Sequence, residues 1–94
     1  MHKVVINNCY GGFCLSDEAL DLYKQMAGVD YDLYKQCRHD PILVNVVEQL
    51  GEKASAEHSC LVVETIHGNK YLIEEYDGME YVVEPDALSW VTID

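Results

Sequence analysis

The chain has 94 residues, 49% of them hydrophobic, and carries 6 Lys and Arg against 17 Asp and Glu for a net charge of −11. That length makes one domain, residues 1–94, with a single modest core that requires neither a metal nor a disulfide. The charge excludes a reader of nucleic-acid phosphates, whose affinity rests on Lys and Arg displacing counterions, and no stretch approaches the roughly 20 apolar residues of a membrane span.

The first residues lead straight into a short apolar run without the pattern of a secretory signal, so the expected setting is the cytoplasm. The four cysteines, Cys9, Cys14, Cys37 and Cys60, are accordingly expected as reduced thiols. None falls in a Cys-x-x-Cys pair, and neither a zinc site nor a cofactor is expected. So small a core has little stability to spare, which makes a homo-oligomer the expected state.

In chain order, residues 3–8 form a β-branched run with little alternation, as expected of a strand covered on both faces. Gly11 and Gly12 then turn the chain sharply. Ser16 is placed to cap a helix, with Asp17 and Glu18 in its first turn, where acids favour the helix dipole. Ala19, Leu20, Tyr23, Met26 and Ala27 share one face, and Gly28 stops the helix. Residues 29–38 read as a short edge strand, although the pentapeptide DLYKQ at 21–25 recurs at 32–36. Asp40-Pro41 starts a second helix that is apolar over most of its circumference and ends at Gly51.

Residues 60–66 alternate as a strand, HGNK at 67–70 turns the chain, and Asp77-Gly78 joins two further strands as a hairpin. Trp90, in the tail, is expected to pack on the core or on a neighbouring subunit. The expected fold is α+β, a mainly antiparallel sheet with two helices on one face, in the order β-α-β-α-β-β-β.

The strand, glycine turn and capped helix make the best candidate site, since such turns gather backbone N–H groups at one point. A P-loop ending of Gly-Lys-Ser/Thr is absent, and Asp17 and Glu18 oppose an anion there. Asn8, Tyr10, Gly11, Gly12 and Phe13 suit a planar ligand better, with amides to read an edge and rings to stack. Arg38 and His39, just before the second helix, form a local positive spot in an acidic chain. They either meet an anionic group of the ligand or pair with Glu74 or Glu75. An enzymatic alternative uses Cys9 as nucleophile and His39 as base, with Asp40 or Asp77 as the orienting acid. Glu74 and Glu75 point to opposite faces of their strand and make no carboxylate pair.

Several blocks resemble a family of small, uncharacterised bacteriophage and prophage proteins: KVVIN at 3–7 with CYGGF at 9–13 and LS at 15–16, then RHDP at 38–41 with LV at 43–44, VE at 47–48 and LG at 50–51, then IEEYDG at 73–78 with Glu80. The blocks occur in the family's order and span most of the chain, which departs from the pattern at Cys14 and in a longer tail after Glu84. The family's members carry no assigned function, but small phage proteins of this size are often counter-defence factors, and by that analogy the chain is expected in the host cytoplasm, either capturing a host nucleotide signal or blocking a host protein. The first expectation is therefore a non-enzymatic binder of a small nucleotide-like ligand through Asn8, Tyr10, Gly11, Gly12, Phe13, Arg38 and His39. The second is an acidic inhibitor docking on a host protein through its charged hairpin, and the third is a small cysteine hydrolase.

Overall fold

Residues 2–84 are described by the computed structural model of the chain, and Trp90 lies outside them. The elements run β1 (His2–Asn7), α1 (Asp17–Ala27), α2 (Pro41–Leu50), a 3-10 turn (Gly51–Ala54), β2 (Leu61–Ile66), β3 (Leu72–Tyr76) and β4 (Met79–Val83). The class is α+β and both strand pairs are antiparallel.

Local chemistry accounts for the helix ends. Ser16 accepts the Ala19 N–H at 3.1 Å, and Gly28, at φ 78°, closes α1 by donating to the Lys24 carbonyl. Asp40 accepts the Ile42 N–H at 2.9 Å, with Pro41 at the first position of α2. The β3–β4 turn places Asp77 at φ 52° and Gly78 at φ 89°, the two left-handed residues of a type I′ hairpin turn.

β1 pairs with β2 in the register Val5↔Val63, and each face of this ribbon is covered. On one face Val5, Leu61 and Val63 pack with Leu43, Val44, Val46 and Val47 of α2 and with Ala19 and Tyr23 of α1. On the other, Val4, Ile6 and Ile66 meet Tyr71, Ile73 and Val82 of the hairpin region. Each fully buried aliphatic chain, such as Leu43 or Ile66, contributes about 1.5–3 kcal/mol. The result is three layers, helices, ribbon and hairpin. β3 and β4 do not extend the ribbon because their apolar face is used to cover it.

Two sequence expectations change. The strand expected over 29–38 is absent: Asp32 Oδ1 accepts the N–H groups of Tyr34 and Lys35, each at 3.0 Å, and curls the segment into a turn that ends at Gln36, φ 48°. The free edge of β1 is instead satisfied piecemeal. The Val5 N–H donates to the Arg38 carbonyl at 2.8 Å, and the Asn7 N–H donates to Glu80 Oε1 at 2.8 Å. In α1, Met26 is exposed and Leu22 takes a place against the core.

Candidate functional site

The glycine turn lies against the connection between the 3-10 turn and β2. Ser16 N–H donates to the Ala54 carbonyl at 2.9 Å, and the buried Ser59 hydroxyl donates to the Cys14 carbonyl at 2.7 Å. Gly11, Gly12, Phe13 and Cys14 face Ala56, Glu57 and His58 across an open groove of about 300 Å³. Asn8 and Tyr10 are exposed at its edge. Gly11 is fixed by contact, because a Cβ there would run into the His58 carbonyl, and one on Gly78 would come within 2.5–2.8 Å of the Gly11 backbone.

Behind the turn sits a buried polar network. Asn7 is fully buried; its Nδ2 donates to the carbonyls of Cys9 and Gly78, each at 2.8 Å, and its Oδ1 accepts the Cys60 N–H at 2.7 Å. Glu80 takes Arg38 in a two-point clasp, Nη1 to Oε1 at 2.5 Å and Nη2 to Oε2 at 2.9 Å. The guanidinium lies over the Phe13 ring, 3.6 Å from its centroid. Two expected ligand residues, Arg38 and Phe13, are thus brought together, but facing each other and Glu80 inside the protein. Arg38 pairs with Glu80 rather than with Glu74 or Glu75, whereas Glu75 accepts the Gly78 N–H at 2.6 Å.

His39 belongs to a different group. Its Nδ1 lies 2.6 Å from Tyr71 Oη, the rings meet edge to face at 5.6 Å, and Cys37 Sγ is 3.7 Å from Nε2. Burial, reinforced by Cys37, pushes the Tyr71 phenol above its ordinary range. The Tyr71 hydroxyl and the His39 ring are thus held in hydrogen-bond contact at the mouth of a hollow. Cys9, by contrast, meets Asn7, His58 and Cys60.

Around His39 and Tyr71, the residues His2, Ile66 and Asn69 line a half-open hollow of about 230 Å³. A neighbouring hollow of about 300 Å³ shares His2 and His39 and adds Lys3, Pro41 and Val44. The second alone is at the lower end of small-ligand sites, about 300–1,000 Å³. Ile66 supplies an apolar wall, Tyr71 and the two histidines supply planar rings, Asn69 an amide, and Lys3 a charge that is shared with Glu48 at 2.8 Å. His2, Asn69 and Tyr71 were not singled out from the sequence. Their one visible signal is the HGNK turn followed by an aromatic residue, which reads equally well as an ordinary loop.

Among the described residues, no group of three or more His, Cys, Asp or Glu is placed to hold a metal. No helix among them is long and apolar enough to cross a membrane. Comparison with protein-family models, with curated proteins and with solved structures finds no match.

Proposed function

We propose that the protein binds a small, planar, anionic, nucleotide-like ligand without turning it over, in the groove around His39 and Tyr71. The observation that carries this reading is the convergence of His2, His39, Asn69 and Tyr71 on the one hollow walled by Ile66. Imidazole N–H groups and Lys3 suit phosphate oxygens, the rings suit a base, and the Asn69 amide suits its polar edge. In a chain of net charge −11, basic groups gathered at one groove are where an anion meets least repulsion. With the resemblance to phage proteins, this reading makes the chain a counter-defence factor that removes a nucleotide signal from the host cytoplasm. The test is capture. Purified protein is incubated with lysate from bacteria whose defences have been triggered, washed and heat-denatured, and the released small molecules are identified by mass spectrometry. Recovery of an intact, stoichiometric compound that Tyr71→Phe or His39→Ala no longer retains supports the reading; recovery of nothing overturns it.

A second reading rests on the outer face of the hairpin. Leu72, Tyr76 and Tyr81 are 66%, 70% and 49% exposed around Glu74, in the register Glu74↔Tyr81 and Tyr76↔Met79. Aromatic and aliphatic side chains around an exposed carboxylate fit a basic protein surface, the partner that the net charge also favours. Charge reversal at Glu74, with Tyr76→Ala, abolishes association with such a partner and leaves ligand capture intact.

A further inference from the structure

Cys9 leaves β1 two residues after the buried Asn7, and Cys60 immediately precedes β2. The Asn8 N–H donates to the Cys60 carbonyl at 2.8 Å, so the strand pairing itself brings the two cysteines to one end of the ribbon. Asn7 then holds both: its Oδ1 accepts the Cys60 N–H at 2.7 Å and the Cys9 S–H at 3.5 Å. One amide oxygen therefore sets the Cys9 sulfur beside the Cys60 backbone, with Cys60 exposed, Cys9 half-buried and both thiols free. Neither lines the His39 groove. Cys14 and Cys37 sit elsewhere, against the Leu15 carbonyl and the His39 ring respectively.

We propose that Cys9 and Cys60 are a modification site that closes reversibly to a disulfide by exchange with a small-molecule disulfide such as oxidised glutathione. Cys60, the exposed partner, loses its proton to solvent and attacks one sulfur of the glutathione disulfide. One glutathione thiolate leaves and takes up a proton. Cys9 then gives up its proton and attacks the Cys60 sulfur of the mixed disulfide, expelling the second glutathione. Two protein S–H bonds and one S–S bond are lost, and one protein S–S bond and two glutathione S–H bonds are gained. The order follows from the surroundings: Cys60 is exposed, Cys9 is half-buried, and the neighbouring Cys60 thiol, and then burial, hold the Cys9 thiol above its ordinary range. Cys9 therefore serves as the resolving thiol. The new bond ties the end of β1 to the start of β2 beside Gly11 and withdraws the Cys9 S–H from Asn7. Such transient, sensing disulfides are the kind found in reducing compartments.

The full chain is titrated with oxidised glutathione under native conditions, trapped with an alkylating agent, and read by intact mass and peptide mapping. The expected result is a mass loss of two hydrogens per chain, a Cys9–Cys60 crosslinked peptide, and full reversal by reduced glutathione. Cys9→Ser, or Cys9→Ala where serine disturbs folding, retains a glutathione adduct on Cys60. A chain with both Cys14→Ser and Cys37→Ser still closes. A wild-type chain that accumulates stable glutathione adducts, or that crosslinks through Cys14 or Cys37, overturns the proposal.

Discussion

The Arg38 guanidinium and the Glu80 carboxylate clasp each other across 42 positions of sequence, with side chains only 10% and 8% exposed. The same carboxylate caps the Asn7 N–H on the open edge of β1, and Arg38 contributes its own carbonyl to the Val5 N–H. One ion pair therefore takes the place of an edge strand and fixes the hairpin to the ribbon. Replacing Glu80 with leucine leaves a buried guanidinium and an orphaned Asn7 N–H. Urea unfolding is expected to register a loss of about 3–5 kcal/mol. Glu80→Gln, which still accepts from Asn7, costs less. Equal losses for the two variants would assign the effect to charge alone.

The two glycines that meet at the hairpin are expected to tolerate nothing larger. Gly11, at φ 142°, has the His58 carbonyl where its Cβ would lie, and Gly78, at φ 89°, has the Gly11 backbone there. Gly12 has a similar φ of 145° but open space. Thermal denaturation should rank Gly11→Ala and Gly78→Ala as severe, above about 2 kcal/mol, with Gly12→Ala near 1 kcal/mol from backbone strain alone. A ranking that puts Gly12 first would mean that the turn packs differently.

Much of this architecture is legible in the sequence where local chemistry dominates. Ser16, Gly28, Asp40-Pro41 and Asp77-Gly78 each carry their own instructions, and all four boundaries fall where those residues place them. The second DLYKQ does not read correctly, because its conformation is not intrinsic. At 21–25 the pentapeptide follows the Ser16 cap and is helical; at 32–36 Asp32 caps its own turn. The candidate site was half-legible for a related reason. The turn that carries Asn8, Tyr10 and the glycines is where expected, but Glu80 reads as one more acid of a solvated hairpin. Only the fold reveals it as the partner that takes Arg38 inside. His39 finds its neighbours, His2 and Tyr71, through strand packing that no local spacing encodes.

Alkaline pH should expose the link between the helices. The Tyr23 hydroxyl donates to Asp40 Oδ2 at 2.5 Å, and this bond, with burial, pushes the Tyr23 phenol up to about 12 from an ordinary 10.0. An acid whose pKa is higher in the folded state contributes stability that is complete below pH 10 and is lost as pH rises through about 12. Tyr31, packed edge-on against Tyr23 at 5.1 Å, is raised in the same direction, first by burial. Denaturant midpoints should thus be flat to about pH 9.5 and then fall. Tyr23→Phe should begin about 1–2 kcal/mol lower and fall less steeply. A slope as steep as that of the wild type in the phenylalanine variant would move the effect to Tyr31 alone.

The two aromatic residues of the glycine turn are expected to separate cleanly. Tyr10 is 62% exposed and takes part in no hydrogen bond found among the described residues, so Tyr10→Ala should change stability by no more than about 0.5 kcal/mol. Phe13 is half-buried, packs against the core and supports the Arg38 guanidinium at 3.6 Å. Removing the ring takes away apolar burial and the face on which a desolvated cation rests, a loss of about 2–3 kcal/mol. Phe13→Leu should recover the burial but not the cation contact, and so fall between Phe13→Ala and the wild type. Ligand capture provides the complementary measurement: if the His39 groove is the binding site, Tyr10→Ala retains the compound that Tyr71→Phe loses. Retention by Tyr71→Phe with loss on Tyr10→Ala would move the site back to the glycine turn. Measuring both variants on one preparation, with melting temperatures alongside, separates a misplaced pocket from a misfolded chain.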